Sequence, residues 1–204
     1  LELKHSHRLN DEAKEYIEYI VTGAKRMQNL IRGLLEYSRI SSVSKDRKSV
    51  NLKEPLYNAL YNLNLSVSEA KAEIIVKDLP DVNVEPDQIA HVFQNLIGNA
   101  LKFRKENERC KIEIGTDHDA GDGNRIVFVK DNGIGIEPDD LDKIFVIFKR
   151  LSASTNKPGD GIGLAICKRI IEKQGGRIWA ESNGKGSGTV FKFSLPDDYK
   201  DEVI

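Results

Sequence analysis

The first part of the chain is dominated by a regular apolar repeat within residues 11–42. Its apolar positions alternate at intervals of four and three residues: Ala13, Ile17, Ile20, Ala24, Met27, Ile31 and Leu34. This spacing predicts one long helix with a heptad seam, the arrangement by which helices pack in bundles and coiled coils. Asn10 and Asp11 are suitable residues to cap its start. Because a seam needs a partner helix, the pattern predicts either a dimer or a further bundle helix upstream of this sequence.

The remainder of the chain alternates between strand-like and helix-like patterns. We interpret residues 41–51 as a polar linker and 52–70 as a second helix. Pro86 suits the first turn of another helix, which is predicted to run to about Arg104. Gly175 is placed to close a last helix, "GIGLAICKRIIEKQGG". The predicted strands lie within "AEIIVKDLP", "VNVEP", "CKIEIGTD", "RIVFVKDNG", "RIWAES" and "GTVFKFSLP".

The order of these elements predicts the fold class. A turn separates the first two strand segments, and the polar stretch "HDAGDGN" joins the next two as a hairpin. Strands and helices mix without strict βαβ alternation, which favours an α+β fold, a two-layer sandwich with a largely antiparallel or mixed sheet. We predict three regions: residues 1–45 with the long helix and linker, 46–197 as the main domain, and 198–204 as a tail.

Composition excludes several classes of protein. Hydrophobic residues make up 39% of the chain and charged residues 31%, which is typical of a soluble globular chain with its own core. The net charge of −1 provides no global attraction to nucleic acid or anionic membrane. No apolar run approaches the roughly 18 residues of a membrane span, and no signal peptide is visible. Cys110 and Cys167 lack a metal-binding spacing, which favours a reducing, cytoplasmic location.

The segment "FQNLIGNALKF", residues 93–103, carries the first candidate chemistry. On a helix, Asn95, Asn99 and Lys102 share one face, whereas apolar residues share another. Asparagine is a poor helix former, so two of them in an apolar helix require a reason. An amide oxygen suits Mg²⁺, which usually binds together with phosphate oxygens. A lysine one turn further suits a phosphate, although a solvent-facing polar stripe is the structural alternative.

Two glycine-rich segments follow. In "DNGIGI", residues 131–136, Asp131 ends a predicted strand, and its carboxylate can accept a hydrogen bond from an amino group. In "GDGIGL", residues 159–164, glycines lead into a helix whose first N–H groups form an anion site. No strand directly precedes "GDGIGL" and no Gly-Lys-Ser/Thr follows, so neither a dinucleotide fingerprint nor a P-loop is predicted. Each segment alone also fits an ordinary turn or helix start.

One more motif lies between the two glycine-rich segments. "IFVIFKRL" places Phe145 and Phe148 three residues apart and Arg150 just after them. Alone, this fits core aromatic residues beside a surface arginine. The polar stretch 149–160 that follows is predicted to be a mobile loop. The whole series, in this order, is much more specific than any one of its members.

In this series the chain resembles the catalytic ATP-binding domain of sensor histidine kinases of two-component systems, a domain with the GHKL (Bergerat) fold. The long helix, "KRMQNLIRGLLEYSR", resembles the second helix of the dimerisation and histidine phosphotransfer domain, and "GSGT" resembles the last glycine-rich element. The likeness covers nearly the whole chain. Within the family, the chain is similar to the PAS- and phytochrome-linked kinases. The matched boxes are N (Asn95, Asn99, Lys102), G1 (Asp131, Gly133, Gly135), F (Phe145, Phe148, Arg150) and G2 (Gly159, Gly161, Gly163).

The resemblance implies ATP and Mg²⁺ as cofactors. It implies that Asn99 is the magnesium ligand, that Asp131 binds the adenine amino group, and that Lys102 and Arg150 contact phosphates. It also implies that residues 149–160 form the ATP lid. Asn99, Lys102 and Arg150 are then the catalytic residues, and the implied partners are a second copy through the helical bundle and a response regulator receiver domain. Further implied nucleotide contacts are Asn95, Phe103, Gly133, Gly135, Ile136, Phe148, Gly159, Gly161, Ile162, Gly163, Leu164 and Thr189.

The chain departs from this family in its histidines. The kinases carry an acceptor in a His-Asp/Glu-x-x-x-Pro context, and none of His5, His7, His91 and His118 has it. "LELKHSHRLN" resembles the end of the first bundle helix and its turn. We therefore expect the acceptor upstream of this sequence, in a parent protein that is cytoplasmic or anchored in a membrane.

Other activities of the same fold are also considered. Type II topoisomerases, mismatch-repair proteins and Hsp90 chaperones place a glutamate four residues before the metal-binding asparagine, as the general base for water. Here that position holds Asn95, which favours transfer to a protein side chain over hydrolysis. Serine kinases of the anti-sigma-factor type, and a nucleotide-binding, dimerising regulatory module without kinase activity, remain as alternatives.

Overall fold

The computed structural model describes residues 10–40, 47–118, 124–150 and 160–196. Two single-turn 3₁₀ helices, Pro138–Asp140 and Lys143–Phe145, lie in the segment before the last helix. The α-helices are α1 (Asp11–Arg39), α2 (Lys53–Asn62), α3 (Asn64–Glu69), α4 (Pro86–Lys102) and α5 (Gly163–Lys173).

The described strands form two sheets. The larger sheet has the order β2-β4-β5-β7-β6, in which β2 and β4 are parallel and every other pair is antiparallel. The smaller sheet is an antiparallel pair of β1 and β3. The predicted mixed sheet is confirmed. The strands are β1 (Lys48–Asn51), β2 (Glu73–Val76), β3 (Asp81–Val84), β4 (Lys111–His118), β5 (Asn124–Asp131), β6 (Ile178–Glu181) and β7 (Thr189–Pro196).

The core lies between the larger sheet and the helices α4 and α5. Both helices are amphipathic and bury their apolar stripes, while alternate residues of β4, β5 and β7 face them. The rings of Phe93 on α4 and Phe193 on β7 meet edge to face, with centroids 5.9 Å apart. Each fully buried side chain of this kind stabilises the fold by about 1.5–3 kcal/mol. The α+β two-layer architecture is therefore as predicted.

Two sequence predictions require correction. Residues 48–51 are not linker but the strand β1, in which Val50 is buried and pairs with Val82. The predicted helix 52–70 is two helices, because the backbone leaves helical geometry at Leu63. The two strands predicted on either side of a turn, β2 and β3, are both present and belong to different sheets. The strand β1 was missed because its pairing partner, β3, is distant in sequence, where local pattern carries no information.

The long helix α1 matches its prediction closely. The Asn10 side chain accepts a hydrogen bond of 2.9 Å from the Ala13 amide, which caps its first turn. The heptad seam is largely exposed; Ile20 and Ile31, for example, retain 69% and 61% exposure. A different stripe of α1, containing Leu30 and Tyr37, packs against the core of the main domain. No described helix is both long enough and apolar enough to cross a membrane.

Some predictions lie outside the described residues. They concern the N-terminal "LELKHSHRL" with His5 and His7, the boundary at residues 45 and 46, the hairpin tip 119–123, Gly159 with most of the proposed ATP lid, and the tail 198–204.

Candidate active site

A cavity of 430 Å³, here called the central cavity, lies between α1, α4, the start of α5 and the end of β5. It brings together most of the residues singled out in the sequence, although they are up to 94 positions apart (Asn95 to Thr189). The predicted residues that line it are Asn95, Asn99, Lys102, Phe103, Asp131, Gly135, Ile136, Arg150, Gly161, Ile162, Gly163, Leu164 and Thr189.

One wall of the central cavity is the polar face of α4. Asn95, Asn99 and Lys102 lie there half-buried, as their helical spacing predicts. The Asn95 amide group donates a 3.1 Å hydrogen bond to the carbonyl of His91, one turn earlier. The Lys102 ammonium lies 4.6 Å from the centre of the Phe103 ring. The opposite face of α4 is fully buried, so core packing fixes the direction of this wall.

The start of α5 contacts the same wall. A Cβ at residue 163 would collide with the amide oxygen of Asn95, so a larger residue there would displace the Asn95 side chain. Gly161, with φ of 72°, adopts the left-handed conformation and accepts a hydrogen bond of 2.9 Å from the Phe148 amide. Among the described residues, no side chain caps the first turn of α5. Its first residues, Gly163 and Leu164, line the cavity, and the N–H groups of this turn form a candidate anion site.

The buried part of the lining around Asp131, at the end of β5, is here called the closed end. Asp131 is only 9% exposed, and its carboxylate accepts a 2.7 Å hydrogen bond from the Gly133 amide. Burial raises the pKa of Asp131, and hydrogen bonds from the backbone of Gly133 and Thr189 oppose this shift only in part. Thr189 is its register partner on β7. A buried carboxylate in apolar surroundings suits one neutral donor, such as an amino group of an aromatic base.

The more exposed part of the lining, here called the open end, carries positive charge. Arg32, Lys102, Lys149 and Arg150 contribute to its lining, and they are half-buried or exposed. Asp160 is the one acidic lining residue besides Asp131 in the part of the chain that the structure describes. The lining thus combines a single buried carboxylate with several more exposed cations. This arrangement suits a ligand with an amino-bearing ring and a polyphosphate.

Two predicted residues lie elsewhere, and several lining residues were not predicted. Gly133 is buried behind Asp131 and does not line the cavity. Phe148 has a φ of 63° and is half-exposed outside the lining; its neighbour Phe145 instead packs against Phe191. His91 could have been predicted from the sequence, because it precedes Asn95 by one helical turn and so lies on the same face of α4. Two further lining residues, Lys149 and Asp160, are the first and last residues of the predicted ATP lid, and the unpredicted ones are Asn29, Arg32, Gly33, His91, Ile134, Ile144, Ile166 and Phe191.

The residues present fit a nucleotide with Mg²⁺. Ligand cavities are typically about 300–1,000 Å³, which includes this one. Among the described residues, no group of three or more His, Cys, Asp or Glu side chains is arranged to hold a metal ion by itself. Mg²⁺ that accompanies a nucleotide takes few protein ligands, because phosphate oxygens and water supply the rest. The amide oxygen of Asn99 on the wall is a donor of the right type.

Comparison with known proteins agrees with this description. Residues 84–199 match the family described as histidine kinase-, DNA gyrase B-, and HSP90-like ATPase. The chain is 41% identical over 196 residues to the phytochrome-like protein Cph1 of Synechocystis, covering 96% of this chain and 26% of that protein. It is 34% identical over 194 residues to the sensor protein kinase WalK of Staphylococcus saprophyticus, covering 90% of this chain and 30% of that protein. The chain therefore spans under a third of the length of these relatives.

Solved structures show the same fold. The histidine kinase ThkA, in complex with the response regulator protein TrrA, is 25% identical with a TM-score of 0.70, over 96% of this chain and 55% of that chain. The separate catalytic domain of ThkA is 26% identical with a TM-score of 0.62, over 76% of this chain and all of that chain. The resemblance drawn from the sequence motifs is confirmed. Since the family match covers more than half of its residues, the chain belongs to the histidine kinase-, DNA gyrase B-, and HSP90-like ATPase family and is a homologue of sensor histidine kinases.

Proposed function

We propose that this chain is the ATP-binding catalytic part of a sensor histidine kinase. It transfers the γ-phosphoryl group of Mg²⁺-ATP to a histidine side chain on a segment upstream, for relay to the receiver domain of a response regulator. The observation that carries the proposal is the lining of the central cavity, which combines the buried carboxylate of Asp131 with several half-buried or exposed cations.

The residues of the cavity take distinct roles in this proposal. Asp131 accepts a hydrogen bond from the adenine amino group, while Lys102 and Arg150 neutralise phosphate charge. Asn99 would hold Mg²⁺, and the ion would supply positive charge to offset that of the phosphates. The uncapped first turn of α5 supplies further donors to phosphate oxygens. Positioning and charge neutralisation, rather than covalent chemistry, are the tasks of a protein in phosphoryl transfer.

Asn95 supports transfer over hydrolysis. Its amide group hydrogen bonds to the His91 carbonyl, and its oxygen faces Gly163. An amide cannot take a proton from water at neutral pH, so this side chain is not a general base. Water in the cavity is therefore not activated at this position, which leaves the phosphoryl group for a protein acceptor.

The exposed seam of α1 supports a dimer. A continuous apolar stripe of this kind on a long helix is the geometry of bundle packing. We propose that two copies associate through this seam, and that the response regulator docks at the resulting bundle. The ThkA structure contains a response regulator protein beside its kinase, which is consistent with this partner.

Phosphoryl transfer can be tested directly. The chain, extended upstream by the preceding segment of its parent protein, is incubated with Mg²⁺ and ATP labelled at the γ-phosphate. We expect label on a histidine of the added segment, identified by its acid lability and by mass spectrometry. An Asn58→Asp variant, changed at an exposed position of α2 away from the cavity, serves as the control and should be labelled normally.

The alternatives give other outcomes. ATP binding without label on the added segment would favour a regulatory nucleotide-binding module. Release of inorganic phosphate without any labelled intermediate would favour an ATPase, and label on serine would favour a serine kinase. Any of these three results contradicts the proposed transfer to histidine.

A further inference from the structure

The helix α1 forms part of the cavity wall as well as carrying the seam. Asn29, Arg32 and Gly33 line the central cavity on the side of α1. None of these residues belongs to the N, G1, F or G2 box, although all three lie in the helix that resembles the second helix of the dimerisation and phosphotransfer domain. The domain that surrounds the rest of the cavity, residues 84–196, is therefore completed by a segment more than 50 residues earlier in the chain.

A close contact holds α1 at this place. Gly33 lies against the side chain of Ile162, so that a Cβ at residue 33 would be 2.7 Å from its Cδ1 atom. Leu30 and Tyr37 pack against the core on the same side, and Ile40 is buried just beyond the helix end. We call these four residues of α1 and its end, Leu30, Gly33, Tyr37 and Ile40, the docking face. Their 3-4-3 spacing is helical and continuous.

The docking face is separate from the seam. Ile31 and Leu34 follow Leu30 and Gly33 by one residue each, which turns them by about 100° around the helix. They are more than half exposed, whereas the docking face is covered by the main domain. One helix can therefore pack in a bundle and contact the nucleotide site at the same time.

Charge indicates what α1 contributes. Arg32 joins Lys102, Lys149 and Arg150 among the cations that line the cavity. A guanidinium group is the side chain best suited to bind phosphate oxygens, because it offers several donors in a planar fork. A nucleoside triphosphate carries three or four negative charges at neutral pH, all of them at its phosphate end. Arg32 is the cation that would connect these charges to α1.

We propose that Arg32 is a polyphosphate-contacting residue of the central cavity, so that binding of a nucleoside triphosphate strengthens docking of α1 on the main domain. The inference rests on the proposed function in taking the ligand to be ATP. Coupling of this kind is reciprocal: the factor by which the docked helix raises ATP affinity equals the factor by which ATP favours docking. The state of the seam and the occupancy of the cavity are then linked through one helix.

The first experiment removes the charge. Arg32→Ala is compared with Lys25→Ala, a change of another exposed cation on α1 that does not line the cavity. Binding of Mg²⁺-ATP and of adenosine is measured by calorimetry. We expect Arg32→Ala to weaken ATP binding about tenfold, the size of a lost charge-assisted contact, while adenosine binding changes less than about twofold. Lys25→Ala should change neither.

The second experiment displaces the helix. The chain provides two glycines on α1 for a matched pair: Gly33 lies against Ile162, and Gly23 has open space where a Cβ would be. Gly33→Leu should weaken ATP binding, whereas Gly23→Leu should not. Hydrogen exchange of residues 29–39 should slow when ATP binds to the unmodified chain or to Gly23→Leu. That protection should be absent in Gly33→Leu and in Arg32→Ala.

The outcomes separate this inference from the proposed function. If ATP and adenosine both fail to bind the unmodified chain, the proposed function is wrong and this inference fails with it. If ATP binds normally to Arg32→Ala, or if adenosine binding falls as much as ATP binding, the inference is wrong and the proposed function stands. If ATP leaves hydrogen exchange of residues 29–39 unchanged in the unmodified chain, the coupling is refuted even when Arg32 contributes affinity.

Discussion

The two ends of the central cavity are built in different ways. Around Asp131, the closed end is shaped by backbone: any Cβ at Gly188 would collide with the Asp131 carbonyl, and one at Gly133 would lie 2.7 Å from the Phe103 carbonyl. The open end is shaped by side chains of Arg32, Lys102, Lys149 and Arg150, which extend from separate segments. Packed backbone cannot adapt to added atoms, whereas exposed side chains can move.

Because of this difference, substitutions at the two ends of the cavity should affect the stability of the fold and the activity of the protein to different extents. A change at the closed end disturbs the fold as well as the ligand, because the same backbone atoms serve both. A change at the open end removes a charge or a ligand atom and leaves the core intact. Substitutions at the two ends should therefore produce different signatures in unfolding and in activity measurements.

The largest expected effect is at the closed end. Gly188→Ala should lower the free energy of unfolding by about 3 kcal/mol or more, because φ is 76° and the new Cβ would meet the backbone of Asp131 and Asn132. Gly186→Ala is the matched control, with φ of 86° but open space around it. It should cost only about 1 kcal/mol. Urea unfolding measures both, and equal losses would show that the close approach at Gly188 does not matter.

The next effect is on the α4 wall, which also carries Lys102 of the open end. Asn99→Asp should reduce phosphoryl transfer about 100-fold, because a carboxylate alters the magnesium site and repels phosphate. The free energy of unfolding should change by less than about 0.5 kcal/mol, since Asn99 is half-buried on the cavity wall. Labelling assays and urea unfolding on the same preparations test this pair of values. Normal transfer by this variant would contradict the magnesium assignment.

A smaller effect concerns the choice of base. Asp131→Asn should weaken ATP binding about tenfold, because the carboxylate that accepts from the adenine amino group is replaced by an amide. GTP binding should change less, since the new amide can also donate to the guanine carbonyl. The ratio of the two dissociation constants is the measured quantity. If the ratio is unchanged, Asp131 does not take part in recognition of the base.

The smallest effect is a pH dependence at the closed end. Burial raises the pKa of Asp131 above its usual value of 3.8, so its ionisation costs the folded state free energy. The protonated carboxyl group therefore stabilises the folded state. This stabilisation is complete below pH 3.8 and is lost as the pH rises through the raised pKa of Asp131. Adenosine affinity should change oppositely, increasing by a few-fold over the same interval, because the ionised carboxylate is the better acceptor. Asp131→Asn should flatten both curves.

How much of this the sequence predicts depends on the range of the interactions. The polar wall of α4 was predictable, because Asn95, Asn99 and Lys102 are related by the period of one helix. The order of motifs also predicted that they would meet in one cavity, through resemblance to known kinases. These predictions all used either local periodicity or a series of motifs.

The misses share a physical cause. The strand β1 has a single buried apolar residue, Val50, and forms because β3 pairs with it from about 33 residues away. The docking face of α1 was hidden by the stronger seam, although Leu30 and Tyr37 were visible beside it. Gly33 was uninformative alone, because its meaning depends on Ile162, 129 positions later. Contacts of this range leave no periodic trace in the sequence.

The seam and the docking face of α1 are separated by a fixed angle around the helix axis. A rigid helix fixes the angle between its seam and its docking face, so rotation of the helix in a bundle turns both together. Inserting one residue between Met27 and Leu30 would advance the docking face by about 100° relative to the preceding seam, and inserting seven would nearly restore it. When this domain is joined to a different upstream helix, the number of residues added or removed should therefore be a multiple of seven. The packing surfaces of the two helices must also match.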